Sequence, residues 1–128
     1  MISAPTYQDP NQGGAAVGLV QVREYVGQGQ GFNPTANLFG GSDEVEGWLG
    51  WSLTTGDFDG DGNLDIAAGA PGYQNDFAGH VVVYDAGLTQ AAALSVSSDL
   101  NTRFGYALAA GDIDTDRYDD LAVGALLG

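Results

Sequence analysis

Asp57, Asp59, Asp61 and Asp65 stand in the run Gly56-Asp57-Phe58-Asp59-Gly60-Asp61-Gly62-Asn63-Leu64-Asp65, four carboxylates within nine residues. Left to themselves they would repel and raise one another's pKa. A hard divalent cation turns the same crowding into a site of several oxygens, and spacing by two suits a tight loop whose alternate residues point inward. Gly62 falls at the sixth loop position, where a sharp turn needs positive φ, and the carbonyl of Asn63 at the seventh supplies a backbone oxygen. Calcium, Ca2+, is the cofactor this pattern implies. The pattern returns 55 residues later as Asp112, Asp114, Asp116 and Asp120, with the carbonyl of Tyr118 in the place of Asn63. Arg117 stands where the first loop has Gly62, so the second site is expected to be the weaker.

The elements that carry these loops read as strands. Residues 53–56 and 64–69 are short, small or apolar, and bounded by glycine, which favours a hairpin over two helices. Residues 17–25 alternate well enough for a strand that buries Leu19 or Val20 together with Val22. Residues 33–39 read as a short outer strand, 79–84 as a β-branched strand and 91–97 as a further one. Residues 2–5 look like the tail of a strand. Loops are expected over 8–14, 40–47 and 72–78.

Three basic residues against seventeen acidic ones give a formal charge of −14, which argues against nucleic acid or an anionic membrane surface as partner. Nine of those acids lie in the two loops, so the acidity is local rather than a solubilising coat. A hydrophobic share of 44% over 128 residues is enough for a folded core. There is no cysteine, hence no disulfide or thiol chemistry. No apolar run approaches membrane-spanning length, and nothing at the start of the chain reads as a signal peptide. Asn33-Pro34-Thr35 carries the proline that forbids glycosylation. Nucleophilic catalysis finds no support: Ser52 has no base beside it, and His80, the single histidine, sits at a strand start as a polar cap. Trp51, Tyr106, Phe104 and Leu53 suggest a sugar-stacking platform but are expected in the core.

The 55-residue offset also aligns Gly50 with Gly105, Trp51 with Tyr106, Leu53 with Leu108 and Gly56 with Gly111, so the chain contains an internal repeat. An earlier partial copy shows in Ile2-Ser3-Ala4-Pro5, which matches Ala68-Gly69-Ala70-Pro71, and in Gly18-Leu19-Val20-Gln21-Val22, which matches Gly79-His80-Val81-Val82-Val83. The division that follows is a partial blade at 1–48, a complete one at 49–100 and a first hairpin at 101–128. The fold class is all-β: β-propeller blades of four antiparallel strands with calcium-binding hairpin loops. Two blades cannot close a ring. The unmatched ends predict a head-to-tail homo-oligomer, three copies giving six blades and four giving eight, with a trimer slightly preferred.

Leu49-Gly50, the aspartate loop and Gly69-Ala70-Pro71, then Phe104-Gly105, the second loop and Gly124-Ala125, resemble the FG-GAP repeat of the integrin α-subunit β-propeller over nearly the whole chain. Leu49 departs from the family's phenylalanine and Leu126 from its proline. The resemblance implies calcium in the loop between first and second strands. It also implies an extracellular or cell-surface setting and recognition of other macromolecules, a protein or a glycan, by the propeller surface. The reading is a calcium-binding structural and recognition module, not an enzyme; the alternative is a carbohydrate-binding propeller lectin.

Overall fold

A computed structural model describes residues 2–4, 18–39, 47–72, 78–94 and 101–126. Among them there are nine strands and no helix, in three antiparallel sheets. The first sheet holds β1 (Ile2–Ala4), β2 (Leu19–Tyr25) and β3 (Phe32–Phe39) in that order. The second holds β4 (Ser52–Gly56), β5 (Asp65–Ala70), β6 (His80–Tyr84) and β7 (Gln90–Leu94) as a four-stranded meander. The third is the hairpin of β8 (Ala107–Gly111) and β9 (Asp120–Gly124). The hairpins β4–β5 and β8–β9 share one register, Gly56 opposite Asp65 and Gly111 opposite Asp120, so the repeat in the sequence is a repeat in the backbone.

The middle sheet is covered on both faces, and its composition explains how. Alternate strand residues point to opposite faces. Ile66, Ala68, Ala70, Val82 and Tyr84 therefore pack one way, against Val20, Leu38 and Leu49 of the preceding segment. Ala67, Val81 and Val83 pack the other way, against Phe58, Phe104, Leu108, Leu121 and Val123. A strand buried on both faces loses the apolar–polar alternation and reads as a continuous run, which is the character of Ile66-Ala67-Ala68-Gly69-Ala70 and Val81-Val82-Val83. Complete burial of Val81 and Val82 contributes roughly 1.5–3 kcal/mol each. Strand β7, by contrast, is exposed along its length.

Adjacent sheets meet through main chain. Gly79 forms an isolated parallel bridge with Phe104, and Gly18 forms the equivalent bridge with Leu49. Both glycines have positive φ, 77° at Gly18 and 86° at Gly79. A Cβ on Gly79 would lie 2.2 Å from the backbone N and O of Phe104, so only glycine permits this approach. Ser52 adds a side-chain link, its hydroxyl donating to the carbonyl of Gly105 at 2.6 Å.

The strands expected over 53–56, 64–69 and 79–84 form within a residue of those limits, and Val20 is the fully buried member of β2. The strand expected over 91–97 runs Gln90–Leu94, and its last three positions lie outside the described residues. Most of the loops expected over 8–14, 40–47 and 72–78 lie outside them too. One expectation is overturned: Trp51 and Tyr106 are not core residues but 42% and 39% exposed. Each follows a left-handed glycine, Gly50 or Gly105, and lies ahead of the strand proper. The two rings therefore meet each other, tilted by 40° with centroids 5.7 Å apart, instead of packing beneath a sheet.

Candidate metal centre

The loop between β4 and β5 is wound by its own carboxylates. Asp57 accepts from the N–H of Gly60 through Oδ1 at 2.8 Å and from that of Gly62 through Oδ2 at 2.9 Å. Asp59 accepts from Asp61 N–H at 3.0 Å, and Asp61 from Asn63 N–H at 2.7 Å. Asp65 closes the loop by accepting the N–H of Phe58 through Oδ2 at 3.0 Å. Every second residue is thus turned inward, as the spacing predicts. Carboxylate oxygens of Asp57, Asp59 and Asp61 all lie within 4.8 Å of one another.

The second loop repeats the arrangement. Asp112 accepts from Asp116 N–H at 3.1 Å and from Arg117 N–H at 3.0 Å. Asp114 accepts from Asp116 N–H at 3.1 Å, Asp116 from Tyr118 N–H at 2.9 Å, and Asp120 from Ile113 N–H at 2.9 Å. Oxygens of Asp112, Asp114 and Asp116 again fall within 4.8 Å of one another. Neither Asp65 nor Asp120 joins its trio at that distance. Their described contact is the hydrogen bond that closes the loop.

Backbone strain separates the two loops. Gly60 and Gly62 adopt φ of 77° and 86°, conformations free to glycine. Their counterparts Thr115 and Arg117 hold 65° and 79° with side chains attached, at a cost on the order of 1–2 kcal/mol each. The sequence reading found the strain at Arg117 and missed it at Thr115, though the offset from Gly60 identifies it.

Whether a cation suits this set is tested by Asp65. The residue is 3% exposed, and its Oδ1 is buried without a hydrogen-bond partner, so a carboxylate oxygen is withdrawn from water and left unsatisfied. Such an atom is expensive unless a donor or cation meets it. Charge crowding agrees. The N–H of Asp61 pulls the Asp59 carboxyl down, but lost hydration and the carboxylates of Asp61, Asp65 and Asp57 outweigh it, leaving Asp59 above the ordinary value. The side-chain amide and N–H of Asn63 hold Asp61 below its own. The donor set is all oxygen, which suits a hard ion.

Asp119, to which the sequence assigns no ligand role, reaches out of its own loop: its Oδ2 accepts the N–H of Asp57 at 2.8 Å, and its own N–H donates to the carbonyl of Asp57 at 2.9 Å. Tyr118 lies against Gly60, whose Cβ would stand 2.4 Å from the ring. The two loops are therefore in direct contact. Elsewhere Trp48, Trp51 and Tyr106 form a row of rings with centroid separations of 5.7 Å.

A family model described as the FG-GAP repeat matches residues 49–84 and 104–128. Integrin alpha-PS2 of Drosophila melanogaster is 39% identical over 80 residues, which is 62% of this chain and 6% of that protein. Integrin alpha-V of Gallus gallus is 34% identical over 82 residues, 64% of this chain and 8% of the integrin. Phosphatidylinositol-glycan-specific phospholipase D of Homo sapiens is 37% identical over 93 residues, 60% of this chain and 11% of the lipase. The chain thus spans about a tenth or less of the length of these relatives.

Proposed function

We propose that this chain, an FG-GAP repeat protein of the integrin α-like β-propeller kind, is a calcium-stabilised recognition scaffold and not an enzyme. Asp57, Asp59, Asp61 and Asp65 with the carbonyl of Asn63 would hold one ion; Asp112, Asp114, Asp116 and Asp120 with the carbonyl of Tyr118 would hold a second. The observation that carries this reading is the unpartnered buried Oδ1 of Asp65, whose other oxygen closes the loop that gathers Asp57, Asp59 and Asp61. A bound ion supplies positive charge where the loop concentrates negative charge. The chain's own residues wind the loop and fix the hairpin that presents it. Ser52, the first residue of β4, donates its hydroxyl to the carbonyl of Gly105, which supports a structural role for it.

The setting we infer is extracellular or at the cell surface, where calcium is abundant, in keeping with the integrins it resembles. No helix among the described residues is long and apolar enough to cross a membrane. The division we infer is a partial blade at 1–48, a complete one at 49–100 and the first hairpin of a further blade at 101–128. Strand β9 pairs only with β8 among the described residues, and β1 only with β2, leaving ladder edges for further repeats. Copies of this chain joined head to tail, as trimer or tetramer, would fill them, as would repeats of a longer polypeptide. Light scattering on the 128-residue chain separates the two: a ring gives three or four chain masses, and a folded monomer rejects self-assembly.

Thermal unfolding in excess calcium and in chelator tests the ion itself. At about a hundredfold excess over Kd the native state gains roughly 2.7 kcal/mol per site. A melt that does not move rejects the reading. The row of Trp48, Trp51 and Tyr106 favours one second reading, a glycan-binding lectin, since the exposed rings of Trp51 and Tyr106 are suited to stacking on sugars. A glycan array run with and without these rings replaced by alanine decides it.

A further inference from the structure

We propose that Asp119 is a positioning residue that couples the two ion loops, so that a cation in the second loop strengthens binding in the first. The inference rests on the cation reading above. Asp119 belongs to the second loop, between the two residues that close it, Tyr118 and Asp120. Both of its polar main-chain and side-chain contacts to the first loop go to one residue, Asp57. Its carboxylate holds the Asp57 N–H at 2.8 Å, and its N–H holds the Asp57 carbonyl at 2.9 Å. Asp57 in turn organises the first loop, since its two oxygens accept the N–H groups of Gly60 and Gly62.

The contact is built, not incidental. Gly56, the residue before Asp57, is buried, and a Cβ there would come within 3.1 Å of the Asp119 and Ala110 Cβ atoms. The Tyr118 ring closes the other side over Gly60. No charged group of opposite sign is needed: the clamp is a carboxylate on an amide N–H, a charge-assisted bond, paired with an ordinary amide–carbonyl bond.

The sign of the coupling follows from what each ion would fix. Drawing the Tyr118 carbonyl and Asp120 onto an ion immobilises Asp119 between them. An immobilised Asp119 holds Asp57 in its loop-winding position, so the first loop orders at less cost when its ion arrives. Coupling of this kind is reciprocal, and typical values are about 5- to 150-fold in affinity. Direct repulsion between two cations acts oppositely, which makes the measured sign informative.

Calcium titration calorimetry on the full chain tests this with wild type, Asp112→Asn to disable the second loop, Asp119→Ala, Asp119→Asn and the Asp112→Asn/Asp119→Ala pair. Emptying the second loop should weaken the first about fivefold or more in the wild-type background and leave it unchanged in the Asp119→Ala background. Asp119→Asn keeps an oxygen acceptor for the Asp57 N–H and should restore most of the coupling. Circular dichroism melts in chelator show that each variant is folded; if Asp119→Ala is not, the Asp119→Asn chain and its pair with Asp112→Asn carry the cycle and must retain the fivefold effect. Additive losses, or weakening of one loop on filling the other, overturn the coupling and leave the cation reading standing. No binding heat in wild type overturns both.

Discussion

Gly62 and Gly79 share a left-handed φ of 86° and have opposite surroundings. A Cβ on Gly62 meets nothing within 4 Å, whereas one on Gly79 meets the backbone of Phe104 at 2.2 Å. Alanine at Gly62 therefore costs the left-handed strain alone, about 1–2 kcal/mol. Alanine at Gly79 costs that strain and also displaces Phe104, whose N–H bonds the carbonyl of Ala78 at 3.2 Å, and strains the bond from the Thr102 hydroxyl to the same carbonyl at 2.5 Å. Two such hydrogen bonds contribute about 1 kcal/mol each, so Gly79→Ala should lose about 3–4 kcal/mol in total. That is a large share of the 5–15 kcal/mol available to a domain. Urea unfolding in chelator, with the loops ion-free, measures both variants on one scale. If the two losses agree within about 0.5 kcal/mol, the steric argument is wrong, because strain is common to both and only the approach of Phe104 differs.

Ser52→Ala removes the hydroxyl that reaches the Gly105 carbonyl and should lower stability by about 1–2 kcal/mol, or about 4–8 °C in Tm for a domain of this size; an unchanged melt would show that this link contributes nothing. Arg117→Gly relieves left-handed strain of about 1–2 kcal/mol and adds glycine's unfolded-state entropy of about 0.5–1 kcal/mol, so stability in chelator should rise by no more than about 1 kcal/mol. Calcium affinity of the second loop should nevertheless rise about twofold, as expected for loss of an exposed positive charge worth about 0.5 kcal/mol, and calorimetry finding no gain would exclude that charge as a determinant.

The carboxylate loops and most strands were legible because their signals are local. Spacing by two fixes which side chains turn inward, and Val81-Val82-Val83 has few conformations open to it besides a strand. The second loop was legible through its offset from the first, down to the strained residue at the place of Gly62. What escaped was what depends on neighbouring blades. Trp51 and Tyr106 carry the hydropathy of core residues, but each stands ahead of its strand at a turn, where the adjacent blade offers another ring and no sheet to lie beneath. Asp119 escaped for a related reason: in sequence it stands between Tyr118 and Asp120, and nothing there indicates that its carboxylate reaches an amide N–H in the loop of another sheet.

Main-chain approach between blades in this chain occurs where side chains are missing. Gly18 and Gly79 admit the backbones of Leu49 and Phe104, and Gly69 admits the carbonyl of Gly105, which would lie 2.1 Å from a Cβ. The polar bonds that accompany these approaches end on main-chain atoms: Ser52 on a carbonyl, Thr102 on a carbonyl, Asp119 on an N–H. An interface of this kind tolerates change in its apolar residues better than change in its glycines, because methyl groups can repack while a backbone approach cannot lengthen without losing its bonds. It also transmits displacement, since a shift of one main-chain segment moves the other through direct backbone approach or one short side chain. That property gives the Asp57–Asp119 contact its consequence. The two most acidic segments of the chain are joined by two short hydrogen bonds, one between main-chain atoms and one from the Asp57 N–H to the Asp119 carboxylate, and by the coupling proposed above an ion that rigidified one loop would reach the other through them.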